Sequence, residues 1–342
     1  MENLSAKIVE KVNRPIKVLQ FGEGNFLRAF VDWIIDTMNK KGVFNGNVAV
    51  VQPMPFGRVE DMKKQDGLYT LYLQGKMDGK VVKTHQVIDC IGDLINPFTE
   101  YAHYLDYAKS DELEFIVSNT TEAGIAYDET DTDFTVCPKS YPGKLLSFLH
   151  TRYEAFNGDV NKGLFIMPCE LIDHNGDTLK EVLVKLAHTC GYDEAFINWI
   201  TKANKFYNTL VDRIVPGYPR EDAAKLCEEW GYEDQLIDRA EVFGLWVVES
   251  DSNLPLEQLE KELPFKEAGL NVVFTKDHHP YKERKVRILN GSHTSFVLAS
   301  FLAGNDNVEN SMKDPVIRKY MEETLYNEVI PTLSLSKEDC EE

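Results

Sequence analysis

The densest run of groups able to move a proton is Lys285-Val286-Arg287-Ile288-Leu289-Asn290-Gly291-Ser292-His293. At about 100° per residue, Lys285, Asn290 and His293 fall within about 140° of one helix face. A lysine buried in such a fan gives up its proton more readily, because desolvation disfavours the ammonium. It can then act as general base toward an alcohol. Asn290 can donate to an alkoxide or carbonyl oxygen, and His293 can position a hydroxyl or carry a proton. The same residues also allow a plainer reading, with solvated cations at a helix start and Asn-Gly as a turn. Asn175-Gly176 follows the apolar run 163–168. It offers a second amide to the same oxygen, or else a turn and helix cap. His278-His279 stand before Pro280. Adjacent histidines in a loop seldom share an ion, so no metal site is expected.

A second constellation lies near the start. The run Ile16-Lys17-Val18-Leu19-Gln20-Phe21 meets Gly22-Glu23-Gly24, and Phe26, Leu27, Phe30, Val31, Ile34, Ile35 and Met38 then recur at helical spacing. Strand, glycine turn and helix together predict a dinucleotide site. Gly22 makes the tight turn, Gly24 lets backbone N–H groups approach a pyrophosphate, and the helix start at Asn25 and Phe26 faces the anion. Leu27 stands where the usual fingerprint has a third glycine. The next strand ends in Val51-Gln52-Pro53, without the acid expected to hold a ribose. Gln52 could hydrogen-bond there without charge. Ser118-Asn119-Thr120-Thr121 ends a later strand, where ligands of open α/β sheets bind. Asn119 and Thr120 are therefore cofactor-binding candidates, with helix capping as the alternative.

Positioning these groups calls for an α/β fold. Strands at 16–21, 48–51, 115–119 and 163–168 alternate with helices, which predicts a Rossmann-like doubly wound sheet. Residues 68–87, with the turn Asp78-Gly79, read as a hairpin inserted in that sheet. Later segments read mainly as helices: 178–189, 194–208, 221–230, 284–303 and 308–329. The expected division is a dinucleotide-binding domain over 1–200 and a mostly α-helical substrate domain over 201–342. The charged pair Asp212-Arg213, set between apolar residues, reads as a structural pair at the junction.

Composition narrows the partners. The 342 residues carry 37 Lys and Arg against 56 Asp and Glu, a formal charge of −19. Such a surface repels phosphate backbones and anionic leaflets, so neither nucleic acid nor membrane is expected as a partner. No apolar run approaches the roughly 20 residues of a membrane span. The six cysteines form no CxxC pair and read as thiols in a reduced cytoplasm.

Three segments together resemble the mannitol dehydrogenase family, the polyol-specific long-chain dehydrogenases. They are Gly22-x-Gly24-x-Phe26-x-Arg28, then Thr209-Leu210-Val211-Asp212-Arg213-Ile214-Val215-Pro216, and Lys285-x4-Asn290-Gly291-x-His293. The resemblance runs from about Ile16 to the chain end and is strongest to a branch acting on sugar acids. It implies NAD-dependent hydride transfer on a sugar-acid substrate. Phe21, Gly22, Gly24, Asn25, Phe26, Gln52, Asn119 and Thr120 would lie at the cofactor. Lys285 would be the acid/base, Asn290 and Asn175 would polarise the ketone oxygen, and His293 would orient the substrate. Arg284 or Arg287 would face its carboxylate. The helical region is shorter than the resemblance implies, which reads as an incomplete C-terminal domain. The oligomeric state is not indicated.

Overall fold

A computed structural model describes residues 1–77, 79–250, 256–336, 339 and 340. Asp78 of the expected hairpin turn lies outside them. In chain order the described strands are β1 (Ile16–Phe21), β2 (Asn47–Val51), β3 (Tyr69–Met77), β4 (Lys80–Ile88), β5 (Ile91–Ile95), β6 (Phe115–Ser118), β7 (Phe165–Pro168), β8 (Lys205–Phe206), β9 (Asn208–Asp212), β10 (Asp238–Ala240), β11 (Leu245–Glu249) and β12 (Val272–Thr275). The main sheet runs β5-β2-β1-β6-β7-β8. All of its pairings are parallel. The order reverses between β1 and β6, and a doubly wound sheet opens its ligand crevice at that point.

Both faces of the sheet are covered, so its strands are apolar on both sides. Alternation along each strand deals side chains to two cores. Val18, Val48, Val50, Phe115 and Val117 pack on one side. Leu19, Phe21, Ala49, Val51 and Ile116 pack on the other.

The hairpin β3–β4 pairs in full antiparallel register, but outside the main sheet. With β10 it forms a separate three-stranded sheet, and β12-β11-β9 form a third. The expected insertion in the main sheet is therefore corrected. Strand β3 takes its second partner from a segment more than 160 residues later, which local patterning does not reveal.

Two compact units result, Met1–Phe274 and Thr275–Glu342. The boundary expected at 200/201 falls inside the first unit, because β8 extends the main sheet and β10 binds to β3. Beyond β12 the elements of the second unit are all helical: His279–Glu283, a π turn Arg284–Asn290, then Gly291–Leu302, Val308–Lys313, Pro315–Thr324, a second π turn Leu325–Val329 and the 3-10 turn Ile330–Thr332. Its surface is unusually apolar. Leu298, Phe301 and Leu302 are 74%, 69% and 86% exposed on a single helix. Among the described residues no helix is long and apolar enough to cross a membrane, and the six cysteines are free thiols.

Candidate active site

In the first unit, β1 delivers the chain into Gly22 at φ +125°, a conformation that L side chains rarely adopt. A Cβ there would stand 3.0 Å from the Asn119 carbonyl and 3.1 Å from Leu27 Cδ1. The Gly22 N–H donates to Val51 O at 3.0 Å, and the Asn119 N–H donates to Phe21 O at 3.1 Å. The turn is thereby tied to both neighbours of β1. Gly24 caps the following helix without a side-chain bond, and a Cβ at Gly24 would meet nothing within 4 Å. The uncapped first-turn N–H groups and the open space over Gly24 suit an anion of pyrophosphate size.

The helix then departs from α geometry. Arg28–Asp32 forms a π turn. Such a turn displaces carbonyls from their usual partners, and side chains meet them here. Tyr69 Oη donates to Arg28 O at 2.6 Å, and Arg213 Nη1 donates to Ala29 O at 2.7 Å. Arg213 also donates from Nε to Glu241 O and stacks 4.2 Å over the Trp33 ring. The Arg28 guanidinium donates to Leu236 O at 2.7 Å and to Asn25 Oδ1 at 2.6 Å, and stands 3.6 Å from Asp238. A buried frame thus fixes the first turn of the helix. Arg213 is part of that frame through the Ala29 and Glu241 carbonyls inside the first unit, where the sequence suggested a pair with Asp212 at a domain junction. The Ala29 carbonyl lies on the glycine-turn helix.

Asp32 sits fully buried in this frame. It accepts from Gln20 Nε2 at 3.3 Å and from Tyr69 Oη at 3.4 Å. Burial pushes its carboxyl up to about 7. Asp36, at about 6, and Asp238, at about 7, are raised for the same first reason. An unfolded aspartate titrates near 3.9. The folded state therefore binds these protons more tightly, and the associated stability is full below about pH 4 and lost as pH rises through about 7. Thermal melts between pH 5 and 8 are expected to show a falling Tm. Asp32→Asn, which removes one titrating group, is expected to flatten that slope. An unchanged slope would show that Asp32 does not titrate in this range.

At the end of β6, sequence reasoning overlooked Glu170. This carboxylate is 2% exposed. It accepts from Ser118 Oγ at 3.0 Å, from the Thr120 N–H at 2.9 Å and from Thr120 Oγ1 at 2.9 Å. Thr120 is thus oriented by Glu170 and caps no helix. The available signal was an acid directly after the buried strand β7. Asn119 Nδ2 donates to Cys169 O at 2.9 Å. Beside these residues lies a cavity of about 600 Å³, lined by Pro53, Met54, Thr120, Ala123, Tyr127 and Lys139 among others. It opens at the carboxyl ends of β2 and β6, within the size range of small-molecule sites.

Three sequence candidates are differently placed. The Phe21 ring is buried against Tyr141, with centroids 4.8 Å apart, so only its backbone reaches the turn. Gln52 is 2% exposed and folds back on its own loop, donating to Met54 O and accepting the Val59 N–H. Asn175 is 0% exposed. Its Nδ2 donates to Pro168 O, Glu170 O and Thr209 O, each at 3.0 Å, and its Oδ1 accepts the Thr209 N–H at 2.9 Å. These bonds give the amide a structural role in the first unit, beside the catalytic one expected from the resemblance. The amide is saturated by backbone groups and staples β7, β9 and the helix Asn175–Thr189 together.

In the second unit, Lys285 and Asn290 lie on the π turn Arg284–Asn290. Hydrogen bonds in such a turn run from residue i to i+5. A five-residue spacing that would be splayed on an α-helix is thereby brought close to one full turn. The helix Gly291–Leu302 follows and carries His293 one α turn beyond Asn290. Lys285 is half-buried, while Asn290 and His293 are exposed. The enclosed lysine expected from the sequence is thus only partly covered. Arg284 donates to Asp339 O at 3.3 Å and stacks 5.7 Å from the Tyr281 ring centroid, while Arg287 is exposed.

Comparison with known proteins agrees with both units. The family model of the mannitol dehydrogenase Rossmann domain matches residues 16–261, and that of the mannitol dehydrogenase C-terminal domain matches 277–342. The chain is 44% identical to the altronate oxidoreductase of Bacillus subtilis over 336 residues, covering 98% of this chain and 69% of that protein. It is 44% identical to the altronate oxidoreductase of Bacteroides thetaiotaomicron over 339 residues, covering 99% and 70%. Among solved structures, Pseudomonas fluorescens mannitol 2-dehydrogenase in complex with NAD and D-mannitol superposes with a TM-score of 0.76 at 26% identity, over 95% of this chain and 66% of that one. A substrate-free D-sorbitol dehydrogenase shares the fold with a TM-score of 0.78 at 23% identity, over 98% and 71%.

Proposed function

The chain belongs to the mannitol dehydrogenase family, and from that premise we propose that it interconverts D-tagaturonate and D-altronate with NAD as cofactor. The reading is carried by the 44% identity to altronate oxidoreductases across 98–99% of the chain. The uncapped turn at Gly22 and Gly24, with the N–H groups of Asn25 and Phe26, would hold the pyrophosphate, and Asn119 and Thr120 would line the crevice beside it. The bound dinucleotide supplies the hydride in reduction and accepts it in oxidation.

The chain's own residues manage the proton and the oxygen. In reduction, Lys285 donates a proton to the ketone oxygen as the carbonyl carbon gains its hydride. In oxidation, Lys285 takes the proton from the alcohol. Asn290, one π turn along, donates from its amide to the same oxygen and stabilises the charge that develops there. His293 orients the substrate, and Arg287 is the exposed cation nearest in sequence for the carboxylate. Asn175 has no part in this scheme.

The test is NADH oxidation followed by absorbance with D-tagaturonate, D-fructuronate and D-fructose in parallel, repeated with NADPH. Turnover confined to tagaturonate with NADH is expected. Preference for fructose or fructuronate would move the chain to a mannitol- or fructuronate-type activity. Binding of NADH without turnover on any of the three would leave a nucleotide-binding protein.

A further inference from the structure

Strand β2 ends without the acid that ordinarily reads the adenosine ribose, and the side chain in its place, Gln52, is turned into its own loop. A carboxylate nevertheless stands at that loop. We propose that Glu23, between the two glycines of the turn, takes over as the ribose-reading acid and sets the preference for NAD over NADP. The proposal rests on the dinucleotide reading above and assigns a residue that reading leaves open.

The direction of the side chain carries the argument. Phe21 pairs in register with Val51, so Glu23 leaves β1 beside the end of β2. Its carboxylate accepts a hydrogen bond from the loop after β2. Glu23 Oε1 accepts the Arg58 N–H at 3.2 Å. A Cβ at Gly57 would collide with Glu23 Oε1 and come within 2.6 Å of the Gln52 amide. Gly57 thus leaves room for the acid to lie over the loop. The carboxylate is half-buried, and burial raises its pKa above the ordinary glutamate value.

A carboxylate accepts several hydrogen bonds. The Arg58 N–H takes one, and a ribose 2′-hydroxyl can donate another. A 2′-phosphate offers no such donor when ionised and brings like charge against the carboxylate. The two nearest arginines lend charge to Glu23, but their guanidinium groups bond other oxygens. Arg58 Nη2 reaches Gln235 O at 3.4 Å, and Arg28 is 1% exposed with its guanidinium on Leu236 O and Asn25. The overall charge of −19 adds to the bias.

The experiment measures NADH and NADPH binding by titration calorimetry on the full chain, without substrate, for wild type, Glu23→Gln and Glu23→Asp. Wild type is expected to bind NADH at least about tenfold more tightly than NADPH, the size of effect one partly screened like-charge contact produces. E23Q keeps an oxygen for the Arg58 N–H and loses the charge. It should narrow that gap about tenfold, mainly through tighter NADPH binding. E23D keeps the charge and should retain the preference for NADH. A thermal melt accompanies each variant, and should E23Q fail to fold, the wild-type ratio and E23D carry the test. Equal binding of the two dinucleotides by wild type, an unchanged ratio in E23Q, or loss of preference in E23D would overturn the assignment. Absence of binding by either dinucleotide would instead overturn the dinucleotide reading itself.

Discussion

Lys285→Ala is expected to bind NADH as the wild type does and to lose turnover by on the order of 10²–10⁴-fold. Positioned proton transfer contributes about that much, and removing the ammonium leaves the uncapped turn at Gly22–Gly24 untouched. The π turn sharpens the expectation. On the proposed mechanism Lys285 and Asn290, five residues apart on a turn whose bonds also span five, would address one oxygen. Lys285→Ala and Asn290→Ala should therefore be strongly non-additive, the double variant being little worse than Lys285→Ala alone. The check is single-turnover hydride transfer from NADH, with NADH affinity measured separately by quenching of tryptophan fluorescence. Partial recovery of Lys285→Ala by added primary amines would identify the missing group as the proton carrier. Normal turnover in Lys285→Ala would refute the assigned acid/base.

Asn175→Ala is expected to do its damage to stability. The substitution takes from the buried Thr209 backbone its N–H acceptor and its carbonyl donor, while Pro168 O keeps the Thr209 hydroxyl and Glu170 O keeps the Ile172 N–H. Each unsatisfied buried group costs about 1–3 kcal/mol. With partial relaxation the total comes to roughly 2–4 kcal/mol, against the roughly 5–15 kcal/mol that holds a domain together. At roughly 2–4 °C per kcal/mol for a unit of this size, Tm should fall by about 5 °C or more. Below that lowered transition, turnover per folded molecule should stay within a few-fold of wild type. A variant with unchanged Tm and turnover reduced a hundredfold would restore Asn175 to the chemistry.

These two asparagines show how far a sequence can be read. Both precede a glycine, and by residue type each could serve an oxygen. Their difference lies in burial: Asn175 is enclosed by β7 and β9, and Asn290 is exposed. No local spacing reports that. The half of the fold around the glycine turn was legible because two strong periodicities meet there, alternation in the strands and the helical stripe from Phe26 to Met38. Leu19 and Val18 reach opposite cores as that alternation requires. Two features stayed hidden for identifiable reasons. The π turns at 28–32 and 284–290 have no composition of their own, since they arise where outside groups claim a carbonyl or where the chain absorbs an extra residue. Of the strands after residue 204, the apolar runs at 242–248 and 271–274 read as strand-like and match β11 and β12, while the short β8, β9 and β10, partnered at long range, did not stand out. Glu170 and Glu23 were missed because an acid beside a glycine or after a strand is ordinary until its partners are known.

The frame around the glycine turn also imposes an order of assembly during synthesis. Gly22 and the helix after it emerge early, yet Arg28 Nη1 closes on Leu236 O, 208 residues later, and Arg213 closes on Ala29. At roughly 5–20 residues per second, on the order of ten to forty seconds separate the first half of this frame from the second. Throughout that interval the charged head of Arg28 lacks Leu236 O and Asp238, whereas the partners of Asp32 and Asp36 have already emerged by residue 89. The nascent chain therefore carries the frame of its glycine turn incomplete until β10 arrives to pair with β3. Late closure of this kind ties completion of the glycine turn's frame to the arrival of β10, about 200 residues after the turn itself.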